Sequence, residues 1–354
     1  MANIKLPGLI DPHVHLREPG AIQKEDFQTG TKAAIAGGFT MILDMPNNPI
    51  ATISPQALQE KIKLAKDRIF CDVGFHFGAS KESIQYFPKI KNKVWGLKVY
   101  MNLTTGDLLM EDDKILESVF SSWPKNPPAG GPIIVHAEGD TLGKAIALAK
   151  KFGNQLHVAH VSLKREIEQI KVVKREGMNI TCEVTPHHLF LSEEDLGRLG
   201  PYGMMKPPLE SKDNQAALWQ ALIDGTIDMI GSDHAPHTKE EKQGEKPVYG
   251  VPGLETTLPL LLTAVNDGRL TIERMIELTY TNPRKVFDLP EQKDTFVEVD
   301  LGESYVIEEN NLQTKCGWSP FTGMKVKGKV KKVVLRGQLI FDGQNIFGPY
   351  GQIL

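Results

Sequence analysis

Cysteine is scarce in this sequence. Cys71, Cys182 and Cys316 are the three in 354 residues, widely spaced and in no Cys-x-x-Cys arrangement. That argues against a disulfide framework and a thiolate zinc finger, and it fits a reducing compartment. Long apolar runs are missing as well: none approaches the roughly 20 residues of a membrane span. The first residues lack the charged-then-apolar order of a signal peptide. A cytoplasmic protein with no membrane partner is expected, and the Asn-x-Thr triplets at Asn102 and Asn179 are then chance matches to a glycosylation pattern. Charge of one sign is also lacking. With 24% charged residues and a net charge of −3, the chain has none of the basic excess of a nucleic-acid binder, so the expected partner is a small molecule.

What is present is a recurring alternation. Short β-branched and apolar runs occur at the opening and near 40–45, 71–77, 95–100, 133–136, 156–160, 179–184 and 228–232, with helical stretches between them. Ser54-Pro55 reads as an N-cap followed by proline at the first helical position, opening a helix to about Lys66. Helical spacing of apolar residues recurs over 140–152 and 162–176. Eight strands with interleaved helices place the chain in the α/β class and predict a (β/α)8 TIM barrel. Beyond Pro290 the pattern changes to alternating runs at 296–299, 329–335 and 338–341, punctuated by Gly323, Gly328, Gly337 and Gly343. The expected division is a catalytic barrel over 1–290 and a small β-rich appendage, packed on the barrel, over 291–354. The lysine-rich run 325–332 reads as the solvated face of an alternating strand. The Pro/Gly-rich stretch 124–132 reads as a loop without chemistry.

The ionisable residues fall at particular places in these runs. His13 and His15 are one residue apart on an extended segment, so both imidazoles project to one face and can meet one metal ion. Arg17 would share that face if the strand continued. Lys98, His136, His160, Glu183 and Asp233 each come at or just after the carboxyl end of a run. In a barrel those ends converge where active sites are built. Taken singly, each residue has an ordinary explanation: a hydrogen-bonded core histidine, a lysine that snorkels or pairs, an aspartate that caps a helix. Taken together they would be costly to bury unless metal ions bound them. His76, His157, His187, His188 and His234 are assigned to packing or to support of the site.

With these residues in view, the sequence resembles the metal-dependent amidohydrolases of the barrel type and, within them, the dihydroorotases. The motifs are Asp11-Pro-His-Val-His-Leu-Arg-Glu-Pro-Gly20, Asp44-Met-Pro-Asn-Asn48, Gly96-Leu-Lys-Val-Tyr100, Val135-His-Ala-Glu138, Thr185-Pro-His-His-Leu189, Gly231-Ser-Asp-His-Ala-Pro-His237 and Pro252-Gly-Leu-Glu-Thr256. They span the chain from Ile4 to about Phe287. The opening strand starts almost at Met1 and the tail contains Trp318-Ser-Pro-Phe, which makes the likeness strongest to the dihydroorotase domain of the animal multifunctional pyrimidine-synthesis protein.

The resemblance implies reversible cyclisation of N-carbamoyl-L-aspartate to L-dihydroorotate, in pyrimidine biosynthesis. It implies two zinc ions bridged by carbamylated Lys98 and a hydroxide, with His13 and His15 on one zinc and His136 and His160 on the other. Asp233 would ligate the first zinc and carry the proton. Arg17, Asn47, Thr104, His237, Pro252 and Gly253 match substrate-binding positions, and 102–106, Asn102 to Gly106, matches the loop that closes over the site. A homodimer and association with other pyrimidine-pathway enzymes are expected on the same ground.

Two positions depart from the animal pattern. Ala159 stands where a cysteine is expected, which speaks against a third zinc, and Thr105 stands where the animal loop has phenylalanine, so weaker lid contacts are expected. Lys206 occupies a position where many bacterial relatives have asparagine. The rivals are a hydantoinase, dihydropyrimidinase or allantoinase, which share the metal centre but not the Leu16-Arg17-Glu18-Pro19 continuation, and an inactive assembly partner.

Overall fold

Local sequence sets the element boundaries. In the computed structural model, which describes residues 3–124, 130–246 and 248–354, the Ser54 hydroxyl accepts from Ala57 N at 3.1 Å and opens the helix Pro55–Ala65. The helix Asp140–Phe152 ends on Gly153 in the left-handed region. In chain order the strands are β1 (Asn3–Pro7), β2 (Leu9–Val14), β3 (Phe39–Asp44), β4 (Asp72–Phe75), β5 (Phe77–Gly78), β6 (Leu97–Tyr100), β7 (Ile133–His136), β8 (Leu156–Val158), β9 (Ile180–Val184), β10 (Met229–Ile230), β11 (Phe296–Val306), β12 (Lys325–Leu335) and β13 (Gln338–Phe341).

Strands β2 to β10 pair in parallel with their chain neighbours, and β4 and β5, separated only by His76, act as one stave. The ring closes where Val14 bridges His234 and His15 N donates to His234 O at 2.8 Å. This is the eight-stave barrel that the sequence predicts. Every residue of β2, β3, β4, β6 and β7 is buried, as in a parallel sheet that helices cover on one face and its own lumen fills on the other. Ile10, Met41, Leu43, Ile134, Met229 and Phe287 belong to one apolar cluster, separate from the larger one that includes Leu9, Ile42, Val73 and Ile35.

A second sheet is antiparallel, in the order β1-β11-β12-β13. The division expected from sequence, 1–290 and 291–354, therefore assigns β1 differently from the hydrogen bonds: residues 3–7 pair with 296–300 in the appendage sheet. On β12 the alternation holds, with Val326 and Val330 buried while Lys329 and Lys331 reach Glu303 at 2.8 and 2.9 Å. Gly328 (φ +112°) lets this strand meet the barrel helix Leu254–Asn266, because a Cβ there would lie 2.5 Å from Leu262 Cβ. The connection between β11 and β12 returns toward the barrel. There Thr314 Oγ1 donates to Glu25, and Trp318 Nε1 donates to His237 O at 2.7 Å. No described helix is long and apolar enough to cross a membrane. Residues 125–129 of the expected 124–132 loop lie outside the described residues.

Candidate metal centre and substrate site

All ten histidines are buried. Four of them, His13, His15, His136 and His160, gather with Lys98 and Asp233 at the carboxyl ends of the barrel strands or just beyond. His13 lies on β2 and His15 one residue past its end; their ring centroids are 5.3 Å apart, and His13 is equally close to His160. The bonds each ring makes fix its tautomer. His15 Nδ1 donates to Asn47 Oδ1 at 2.7 Å, so its Nε2 lone pair faces Asp233 Oδ1 at 3.0 Å. His13 Nδ1 donates to Glu183 Oε1, and its Nε2 lies 3.4 Å from the same Asp233 oxygen. His136 Nε2 donates to Glu138 Oε1 at 2.9 Å, which turns its Nδ1 lone pair toward His160 Nε2, also at 2.9 Å.

Around Asp233 Oδ1 lone pairs thus converge on lone pairs, an arrangement that is repulsive without a cation between them. His13, His160 and Asp233 bring ligand atoms within 4.8 Å of one another. Lys98 Nζ and His160 Nδ1 are buried without any hydrogen-bond partner among the described residues. Imidazole nitrogens, a carboxylate and an orphaned amine in this grouping fit a divalent metal of the zinc type.

The electrostatics agree with that fit. Burial pushes His15 down to about 3 and His160 well below the ordinary histidine value, so both rings are neutral and can ligate. Lys98 is pulled down to about 8 by burial, against the opposing pull of Glu183 and Asp233.

Around this cluster the residues expected to bind substrate are only partly brought together. Arg17 is buried, yet not by continuation of the strand: β2 stops at Val14, and Arg17 turns with φ +62°. Its Nε donates to Pro236 O at 3.0 Å and its Nη2 lies 3.2 Å from His237 Nε2, whereas Nη1 has no partner among the described residues. Neither nearby glutamate claims it. Glu18 pairs with Arg68 at 2.8 Å, and Glu25 accepts from Thr314. His237 is held neutral by burial and by Arg17, Lys24 and Lys242 around it. Val251 bridges His234, and Gly253 N donates to His234 Nδ1 at 3.2 Å, which sets Pro252 and Gly253 alongside the residue that follows Asp233.

In the lid, Thr104 is half-buried and its hydroxyl makes no hydrogen bond among the described residues. Two residues tie this loop down: the Thr105 carbonyl accepts from Asn47 Nδ2 at 2.8 Å and its hydroxyl donates to Tyr249 O at 3.0 Å, while Asn102 Oδ1 accepts from Glu138 N at 2.8 Å. The Asn47 amide therefore serves His15 and the lid together. Lys206 Nζ stands 5.5 Å from the Tyr249 ring, near the same edge. A cleft of about 730 Å3 opens elsewhere, between the appendage and the helix Leu254–Asn266, lined in part by Glu255, Tyr305, Lys329 and Lys331. It gathers no histidines, and the convergent lone pairs make the barrel mouth the stronger candidate.

The sequence pointed to no role for Glu138 or Lys61, and to Glu183 as a strand-end residue that matches a ligand of the third zinc that Ala159 speaks against. Glu183 orients His13, bonds His157 Nε2 at 3.1 Å and accepts from His160 N at 3.3 Å. Gly231 makes room for it, since a Cβ there would sit 2.7 Å from Glu183 Oε2. Glu138, two residues after His136, was open to discovery from the Val135-His-Ala-Glu138 motif. Ala159 is buried and offers no ligand atom.

A profile of the Amidohydrolase family matches residues 4–119. The chain is 48% identical over 354 residues to multifunctional protein CAD of Squalus acanthias, covering 99% of the chain and 15% of that relative. It is 45% identical over 345 residues to multifunctional protein pyr1-3 of Dictyostelium discoideum, covering 97% and again 15%. The chain thus spans about 15% of the length of these two relatives. A dihydroorotase of Methanosphaera stadtmanae is 35% identical over 380 residues, covering 98% of this chain and 87% of that one. Among solved structures, the L-hydantoinase (dihydropyrimidinase) from Arthrobacter aurescens matches with TM-score 0.94 at 27% identity, covering 99% and 88%. The inactive dihydroorotase-like domain of a CAD-like multifunctional protein from Chaetomium thermophilum matches with TM-score 0.84 at 28% identity, covering 100% of both chains.

Proposed function

The chain belongs to the dihydroorotase family, and from that membership we propose that it is a metal-dependent cyclic amidohydrolase that interconverts N-carbamoyl-L-aspartate and L-dihydroorotate in pyrimidine biosynthesis. The observation that carries this substrate is Arg17, a buried guanidinium beside the histidine cluster with Nη1 unengaged among the described residues. A buried positive charge at the rim of a site calls for an anion, and dihydroorotate has a carboxylate that dihydrouracil and hydantoin lack.

In this reading His13, His15 and Asp233 would hold one zinc and His136 and His160 the other, and Lys98 would take part as its carbamate. An orphaned amine pulled toward neutrality by burial supports that role for Lys98. When bound, the metals supply Lewis acidity at the ring carbonyl and acidify the attacking water. Asp233 takes the proton of that water and delivers it to the ring nitrogen as the amide bond breaks; in the synthetic direction the same carboxylate removes the proton from that nitrogen. Arg17 binds the substrate carboxylate, with His237 and Asn47 beside it. Pro252 and Gly253 present backbone to the ring, and Thr104 meets it from the lid.

A cytoplasmic location, a homodimer and association with other pyrimidine-pathway enzymes accompany this proposal. The multifunctional relatives support the last of these. The likeness to hydantoinases makes uncharged cyclic amides the rival substrates, and the likeness to an inactive domain makes a lapsed site the other rival. A metal count on the purified protein, beside hydrolysis assays with L-dihydroorotate and with dihydrouracil, decides among the three. About two zinc ions per chain and a strong preference for dihydroorotate are expected. Preference for dihydrouracil would favour the hydantoinase reading, and absence of both activities would favour the inactive one.

A further inference from the structure

One buried cation in the molecule has no part in the chemistry above. Lys61 lies on the helix Pro55–Ala65, outside the barrel, and is fully buried, as is Asp44 at the end of β3. Its ammonium meets three acceptors: Asp44 Oδ2 at 2.6 Å, Met45 O at 2.8 Å and Asn48 Oδ1 at 2.6 Å. The contacts to Met45 O and Asn48 Oδ1 are hydrogen bonds, and the one to Asp44 Oδ2 is a close ion pair. A buried ion pair is poor evidence of a stabilising device, because desolvating two charges offsets most of their attraction and an apolar pair of similar volume serves a core as well. Its partners suggest another purpose.

Asp44 Oδ1 accepts from Leu16 N at 2.8 Å, and Asn48 Nδ2 donates to Glu18 O at 3.0 Å. The two backbone bonds that flank Arg17 therefore both end on side chains held by Lys61. The same ammonium grips Met45 and Asn48 on either side of the Pro46-Asn47 turn. Arg17 needs such pins, because its left-handed backbone is unfavourable for a residue with a side chain. We infer that Lys61 is a positioning residue for substrate recognition, holding Arg17 and Asn47 in the geometry that receives the substrate's carboxylate. The inference rests on the dihydroorotase reading of the site.

The test is a double-mutant cycle of Lys61→Met with Arg17→Met, read by steady-state hydrolysis of L-dihydroorotate, by calorimetric binding of N-carbamoyl-L-aspartate and by zinc content. Misplacement of a binding group by a fraction of an ångström to one ångström costs up to about 10²-fold, so Lys61→Met is expected to raise KM about 10- to 100-fold. Turnover number is expected to stay within a few-fold of the parent, binding of the carbamoyl-aspartate to weaken in parallel, and zinc content to stay unchanged. In the Arg17→Met background the same substitution is expected to add little, since the group it positions is gone. Asn48→Ala leaves the Lys61–Asp44 pair intact and removes the bond to Glu18 O together with the Lys61 bond to Asn48 Oδ1. It is expected to raise KM in the same direction by a smaller factor, and it decides the matter if Lys61→Met does not fold. Additive losses in the cycle, or a fall in turnover number at constant KM, would overturn the positioning role. A parent enzyme that binds metal but does not turn over dihydroorotate would overturn the dihydroorotase reading and this inference with it, and that result is seen before any variant is made.

Discussion

Three residues of the site, Arg17, His160 and Asp233, have positive backbone angles of 62°, 36° and 45°. Left-handed backbone costs a residue with a side chain roughly 1–2 kcal/mol, and such outliers tend to persist where the surroundings over-determine them. Asp233 tolerates the conformation best, and asparagine would tolerate it equally, which makes Asp233→Asn a clean removal of the base. Hydrolysis of dihydroorotate is expected to fall by at least about 10²-fold while much of the zinc remains; near-native turnover would eliminate the proton-carrying role. For Arg17, a charge-assisted pair in a partly desolvated site is worth roughly 2–5 kcal/mol, so Arg17→Met is expected to lower kcat/KM by about 30- to 4,000-fold with zinc unchanged. Lys98→Ala should lose zinc and activity together, and an active two-zinc protein whose native mass shows unmodified Lys98 would sink the carbamate. The gathering of the strand-end histidines, Lys98 and Asp233 was legible in sequence because barrel topology brings the carboxyl ends of the strands to one face. The turn at Arg17 was not legible, because it is set by Asp44 and Asn48, some thirty residues away along the chain.

Elements were legible where their signals are local. The Ser54-Pro55 start, the 140–152 helix and the alternation on β12 all follow from caps and periodicity within a few residues. The place of β1 was not, since its partner lies almost the length of the chain away, at 296–300. The connection between β11 and β12 is the same kind of case: the sequence shows Trp318-Ser-Pro-Phe but not that it buttresses the barrel mouth. Trp318 Nε1 donates to the carbonyl of His237, and the ring packs in one cluster with Val251 and Met205. Trp318→Phe keeps an aromatic ring and deletes the N–H. Leaving a buried carbonyl unpaired costs about 1–3 kcal/mol, so urea unfolding is expected to show a loss of that order. If the bond also holds His237 against Arg17, KM for dihydroorotate rises in the same variant with zinc content unchanged. A stability loss without any change in KM would confine Trp318 to packing.

At the scale of the whole molecule the ten buried histidines make stability depend on pH. His76 and His188, neither of them an expected metal ligand, show the sign. Burial holds them down to about 3 and about 4, below the ordinary value of 6.5, against the bonds His76 makes to Pro12 O and His188 to Pro207 O and Pro208 O. In the unfolded chain each takes a proton near 6.5. Between that value and the folded ones the unfolded state binds more protons, so stability rises with pH across the window. The contribution is complete above about pH 6.5 and is lost as pH falls toward 4. Between pH 6 and pH 5 these two histidines together remove about 2 kcal/mol, since one full proton difference is worth about 1.4 kcal/mol per pH unit. Urea denaturation of the metal-stripped protein at pH 7, 6 and 5 isolates this effect from metal release. His188→Gln, which cannot titrate there, is expected to flatten the dependence by about half of the pair's share. Stability that is constant from pH 7 to pH 5 in the parent would show that these rings ionise as readily in the folded barrel as in the open chain.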